Sequence, residues 1–181
     1  MTNDMKSRFN GIFSTDHIVK EWSNGEAAFA ILEYQPIASY PPHYCGYVLF
    51  PRRPLVEEGY HGFVWNIPVH GGITFGREVD SSGRFAYGFD CAHAKDRGNP
   101  SLRDINWATR ECERMEGMIV LAIPYEKRFL AAGEDEEEAE SIVEEYLLKC
   151  EEVFGNLPDQ TTFFDVIADV FDVLPSFCRR S

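Results

Sequence analysis

The sequence predicts an α+β fold: a small, mostly antiparallel sheet with one packed helix and two C-terminal helices. Three observations lead there. Short apolar runs rich in β-formers, divided by Gly, Pro and Asp-Ser clusters, fill residues 43 to 91. Apolar residues then recur at helical spacing between Leu102 and Met115. A second helical stripe follows an acidic run that begins at Glu134. These divide the chain into an N-terminal segment (1–42), a sheet-plus-helix core (43–124) and a helical extension (125–181).

The N-terminal segment opens polar, with no apolar core of the kind a signal peptide has. Ala27 to Tyr34 reads equally as a strand or a helix end, and Pro36, Pro41 and Pro42 prevent a helix from continuing. Gly46–Phe50 reads as a buried strand ended by Pro51. Gly62 to Val69 reads as another, with Pro68 favouring an edge or a bulge. Ile73-Thr74-Phe75 is a third, entered through Gly71-Gly72. Phe85–Cys91 is a fourth, and Asp80-Ser81-Ser82-Gly83 suits a hairpin turn between these last two.

Ser101 is the expected N-cap of the first helix, with Asp104 as its capping-box acid. Gly117 is expected to stop that helix, and Met118–Ile123 to form a last strand. The acids from Glu134 to Glu140 suit the positive end of the next helix, whose stripe runs from Ile142 to Phe154. A shorter helix is expected over about 161–174.

Composition restricts the function. The 181 residues are 44% hydrophobic and 14% aromatic, enough for a core. The net charge of −13, without a basic patch, argues against bare nucleic acid and anionic membrane surfaces as partners. The apolar run Met118 to Pro124 is too short to span a bilayer. Five cysteines in no framework spacing read as free thiols in a reducing cytoplasm.

Chemistry-bearing residues gather at strand ends in the core region: His43-Tyr44-Cys45, His70-Gly71-Gly72-Ile73-Thr74, and Asp90-Cys91-Ala92-His93 with Asp96 beyond. Residues two apart on an extended chain share a face, so neighbouring strand ends can converge. His70 and His93 are the candidate acid–base pair of a metal-independent hydrolase, because imidazole titrates near neutrality. Asp90 or Asp96 can orient one ring and fix its tautomer, and Asp90 is counted in the catalytic set. His43, Tyr47, Gly71, Gly72, Thr74 and Asp96 are the candidate ligand contacts, the glycine amides being open to a phosphate or oxyanion.

Core packing is the commoner fate of Tyr44, Tyr47, Trp65 and Tyr87, and a strand-end bulge accounts equally well for His70-Gly71-Gly72. Zinc on His43, Cys45, Cys91 and His93 is the metal alternative, but its one-residue spacings depart from common zinc modules. Cys91 as a nucleophile lacks the usual strand-to-helix elbow. Arg52, Arg53 and Arg103 offer local positive charge, and the acidic run 134–138 reads as a solvated helix start.

The blocks Cys45-Gly46-Tyr47-Val48, Val69-His70-Gly71-Gly72-Ile73-Thr74 and Gly88 to Asp96, with the helix Arg103 to Met115, resemble a widespread family of small tailed-bacteriophage proteins. The resemblance covers about residues 43 to 116. It implies a phage gene product at work in the cytoplasm of an infected bacterium, and it carries no catalytic assignment. With the site residues it leads to an expectation: an accessory, anti-defence protein that engages a small nucleotide-type immune signal and hydrolyses it, with no cofactor and no metal. The alternatives are a sponge that only sequesters the nucleotide and an acidic protein that blocks a host protein. Association of two copies is compatible with apolar helices at the chain end.

Overall fold

A computed structural model describes residues 7–35, 42–56, 63–93, 96 and 99–156. Among these, five strands form one antiparallel sheet: β1 (Ile18–Asn24), β2 (Ala27–Tyr34), β3 (His43–Phe50), β4 (Phe75–Glu78) and β5 (Phe85–Asp90). Their order across the sheet is β1-β2-β3-β5-β4. Two helices follow, α1 (Ile105–Ala132) and α2 (Glu136–Phe154). The α+β class is therefore as the sequence predicts. The expected helix over 161–174 lies outside the described residues.

The first three strands form a meander, and the β4–β5 hairpin joins it through β5. The expected turn closes that hairpin, with Gly83 N donating to Asp80 O at 3.2 Å. Bonds from Arg84 and Ser82 hold the Asp80 carboxyl down to about 2.

The pleat sends Phe29, Ile31, Val48, Phe50, Tyr87 and Phe89 into one apolar cluster, where α1 adds Ala108, Cys112, Met115, Met118, Ile119 and Ala122. The alternate residues Ala28, Ala30, Leu32, Cys45, Tyr47, Leu49 and Ala86 meet Phe9 and Ile12 of the N-terminal segment. Burial on both faces explains why these strands read as continuous apolar runs. It also settles Ala27–Tyr34 as a strand.

Three local expectations are corrected. Phe63–Asn66 is a 3-10 turn, not a strand. Its Phe63 packs edge-on against Tyr146 and Phe129, so the apolar residues serve the helical layer and join no ladder. Gly117 does not end α1, and Met118–Ile123 is helical: the buried stripe continues unbroken from Met115 through Ala122. A Cβ on Gly117 would sit 2.8 Å from the Phe154 ring, so this glycine serves close helix contact. The N-cap of α1 is Asp104, which accepts from Asn106 N at 2.9 Å. Residues Pro100–Arg103, including Ser101, form a preceding 3-10 turn.

β1 is a strand that the polar N-terminal reading leaves out. It is an edge strand whose exposed residues hide the alternation, and it is held by the tight turn at Gly25 and Glu26. α1 continues past 124–125, where the sequence suggests a change of region, with Pro124 on its exposed side. Gly155 caps α2 as expected, its N–H donating to Glu151 O.

α1 approaches β3 closely because Gly46 faces it. A Cβ at Gly46 would lie 2.5 Å from Cys112 Sγ and 2.5 Å from the Phe89 ring. Gly46→Ala is expected to destabilise the fold by about 1–3 kcal/mol through overpacking. Urea denaturation checks this, and an unchanged midpoint would mean that the helix can back away at no cost.

Candidate functional site

β5 ends at Asp90, and there the chain bends sharply. Asp90 Oδ1 accepts the N–H of Ala92 at 2.9 Å, an Asx turn that releases the chain from the sheet. Cys91 is left buried in the core. The chain then folds back: Asp96 N donates to His93 O at 2.9 Å, and Asp96 Oδ2 accepts from His93 N at 3.0 Å.

A second arm comes from the loop before β4. Gly72 N donates to Val69 O at 3.0 Å, closing a turn in which Gly71 has φ +66°. That conformation favours glycine at the third turn position. α1 secures this arm, because Glu111 Oε1 accepts the His70 N–H at 2.9 Å. Glu111 is buried, and its other oxygen lies 3.3 Å from Arg114 Nη1. A buried carboxylate needs such partners to offset its desolvation.

The two arms bring three side chains together. His70 Nε2 lies 3.1 Å from Asp96 Oδ2. The His70 and His93 ring centroids are 5.8 Å apart and tilted by 57°. One nitrogen from each ring and one Asp96 oxygen all lie within 4.8 Å of one another. Trp107 sets its ring edge-on against His70 at 5.3 Å, forming one wall. Asp90 Oδ1 stands 3.7 Å from His93 Nε2. Exposure grades outward, from 8% at the Asp96 side chain through 17% at His70 to 36% at His93 and 32% at Asp90. Asp96 is thus the floor of the cluster, and His93 and Asp90 form its rim.

The other sequence candidates fall elsewhere. His43 stacks on Tyr34 at 5.6 Å, and Tyr34 stacks on His17 at 5.5 Å. Tyr47 is buried, with Phe13 4.1 Å and Phe75 5.4 Å from its ring. Thr74 is exposed and contributes its N–H to Gly88 O. Of the two glycines, Gly72 closes the turn with its N–H on Val69 O and touches none of the cluster, whereas Gly71 does lie at the cluster, directly against His93. Tyr44 and Trp65 pack partly buried against the main core, and Tyr87 is buried within it. Arg53 lies over the Phe85 ring.

The thiols are poor chemistry. Burial pushes Cys45 up to about 12, with the Asp90 charge adding to it. Burial also raises Cys91 far above the ordinary thiol range, and Cys112 likewise. Cys91 therefore holds its proton and is no activated nucleophile. Among the described residues, the group able to share an ion is His70, His93 and Asp96. Neither Cys45, Cys91 nor His43 belongs to it.

Glu111 and Trp107 were not legible as site residues by motif. One signal was present: Glu111 is a charge inside the buried stripe of α1, next to Cys112 and four residues before Met115. Charged residues almost never occupy such positions without a partner. The chain matches no family model, no curated protein and no solved structure.

Two expected outcomes follow from this geometry. Gly71→Ala and Gly72→Ala both force a side chain into positive φ (+66° and +79°), a cost of about 1–2 kcal/mol each. Only at residue 71 would the new Cβ fall 1.8 Å from His93 Nε2, whereas at 72 nothing lies within 4 Å. Gly71→Ala should therefore shift the His93 ring resonances in an NMR spectrum, and Gly72→Ala should leave them in place. Equal spectra would contradict the close approach.

Cys45, with roughly a thousandfold less thiolate at pH 8 than an exposed cysteine, should resist iodoacetamide in the folded chain, as should Cys91 and Cys112. Mass spectrometry of peptides labelled before and after unfolding checks this. Rapid labelling of Cys91 in the folded protein would restore it as a nucleophile.

Proposed function

We propose that this chain is a phage accessory protein that engages a small nucleotide-type ligand at the His70–His93–Asp96 cluster and hydrolyses it. The observation that carries the reading is the convergence of two imidazoles and a carboxylate from separate loops. Each is fixed through backbone bonds, so the side-chain tips face one another. Preorganised groups of this kind suit a reaction in which charge develops on a phosphoryl or sugar centre. In the hydrolysis, the hydroxyl of a water molecule joins phosphorus or the anomeric carbon as the bond from that atom to the leaving group breaks, and the water's remaining proton goes to the leaving group. His70 and His93 face the reacting end of the ligand, Asp96 holds them, and Asp90 stands at the opening. The Gly71 backbone adjoins the same place, while the Gly72 N–H is taken by Val69 O within the turn.

The choice of ligand rests on the resemblance of residues 43–116 to tailed-phage proteins and on general analogy. A gene product of that kind meets nucleotide immune signals, such as cyclic dinucleotides or ADP-ribose derivatives, inside the infected cell. No helix among the described residues is long and apolar enough to cross a membrane. The acidic run has a local explanation that weakens the host-protein alternative. Asp135 caps α2 by accepting from Glu138 N, and Glu136, Glu137 and Glu138 sit in the first turn, where the helix dipole favours them.

The test is mass spectrometry of a nucleotide mixture incubated with the protein, together with the fraction released by heat. Turnover of excess nucleotide is expected, with a loss of at least about 100-fold in His70→Ala or His93→Ala. Intact nucleotide recovered from the heat-released fraction would replace hydrolysis with sequestration. A nucleotide mixture left both uncleaved and uncaptured would overturn the reading.

A further inference from the structure

We propose that His70, His93 and Asp96 form the protein-side ligand set of a divalent transition-metal site of the zinc type. The inference rests on the reading of this cluster as the functional centre and gives it an ion on a ligand set different from the His43, Cys45, Cys91 and His93 alternative raised from sequence.

The donor set is two imidazoles and one carboxylate. That is the composition of open sites for first-row divalent ions, which leave positions for water or a ligand oxygen. Donors around such an ion sit at about 2.0–2.2 Å from it, so neighbouring donors lie roughly 3–3.5 Å apart. His70 Nε2 and Asp96 Oδ2, at 3.1 Å, already have that separation. All three donor atoms lie within 4.8 Å of one another, so only a small inward rotation of the rings is needed.

The supporting shell also fits. Each ligand is positioned through the main chain: His70 by Glu111 on its N–H, His93 by Asp96 on its N–H, and the His93 ring by the bare Cα of Gly71. These contacts hold both imidazoles in place through their main chain or ring flank, while Asp96 Oδ2 carries the His93 N–H bond and, as a carboxylate oxygen, keeps a further lone pair for an ion. Asp90, 3.7 Å from the His93 ring, lies at the rim with its Oδ1 already tied to Ala92 N. There it can take a hydrogen bond from a metal-bound water. The sulfur-containing alternative is disfavoured, since buried protonated thiols would first have to be uncovered and ionised.

The experiment uses the full chain, stripped of metal and titrated with Zn²⁺ by calorimetry and with Co²⁺ by visible absorption. One ion per chain at micromolar or tighter affinity is expected, and the Co²⁺ adduct should lack a near-ultraviolet thiolate band. His70→Ala, His93→Ala and Asp96→Asn should each weaken binding by at least about 100-fold. His43→Ala, in its separate ring stack, should bind as the parent does. Asp96→Asn keeps an acceptor for the His93 N–H, so it reports on the charge even if a histidine variant fails to fold. No binding up to millimolar Zn²⁺, unchanged affinity in Asp96→Asn, or a thiolate band would overturn the site.

The nucleotide assay, run with and without chelator, separates this proposal from the reading beneath it. Cleavage lost on chelation supports both. A bound ion with every nucleotide left intact keeps the metal site and removes hydrolysis. Cleavage that survives chelation in a chain that binds no ion removes the metal and leaves His70 and His93 as an acid–base pair.

Discussion

A carboxylate buried on α1 ties the chemistry to the fold. Glu111 accepts the backbone N–H of His70 and pairs with Arg114, so the loop bearing His70 is registered against the helix. That helix is in turn registered against the sheet at Gly46, where no side chain intervenes between strand and helix. β5 belongs to the same sheet and delivers Asp90 and the turn that carries His93. The two imidazoles meet because helix, loop and strand end are all referred to one interface. Leaving Glu111 in place while removing its partners would strand a charge in a low-dielectric interior, which is why this contact is hard to alter piecemeal.

Much of the fold was legible from residue order, for reasons visible in individual elements. Phe85–Asp90 and the Asp80–Gly83 turn carry strong local signals, and the hairpin forms as they indicate. Where the reading failed, a tertiary contact had overridden a local cue. Gly117 looks like a stop, yet it answers to Phe154, which is far away in sequence. Phe63 to Asn66 look like a strand, yet Phe63 packs on Tyr146 of α2. β1 escapes notice because an edge strand with solvent on its outer side has little need of apolar alternation.

The site was partly legible for a similar reason. Glycines and aspartates at strand ends mark sharp bends, so His70, His93, Asp90 and Asp96 could be grouped from position alone. The grouping of His43 and Tyr47 with them failed because a strand has two faces and two neighbours. The ring stack with Tyr34 holds His43, and the N-terminal segment covers Tyr47 with Phe13. Trp107 and Glu111 reach the site from a helix that follows it in the chain, and no motif announces that reach.

The bare backbone of Gly117 has a wider meaning for the helical layer. It lies midway along a helix of 28 residues, opposite the last residue of a partner of 19. The two rods are joined by a short link at Gly133 and drawn together at the far end, with the Tyr146 hydroxyl bonded to the Met118 carbonyl between these points. They therefore behave as closed forceps. Bulk added at Gly117 would prise the arms apart and strip cover from the face of α1 that meets α2.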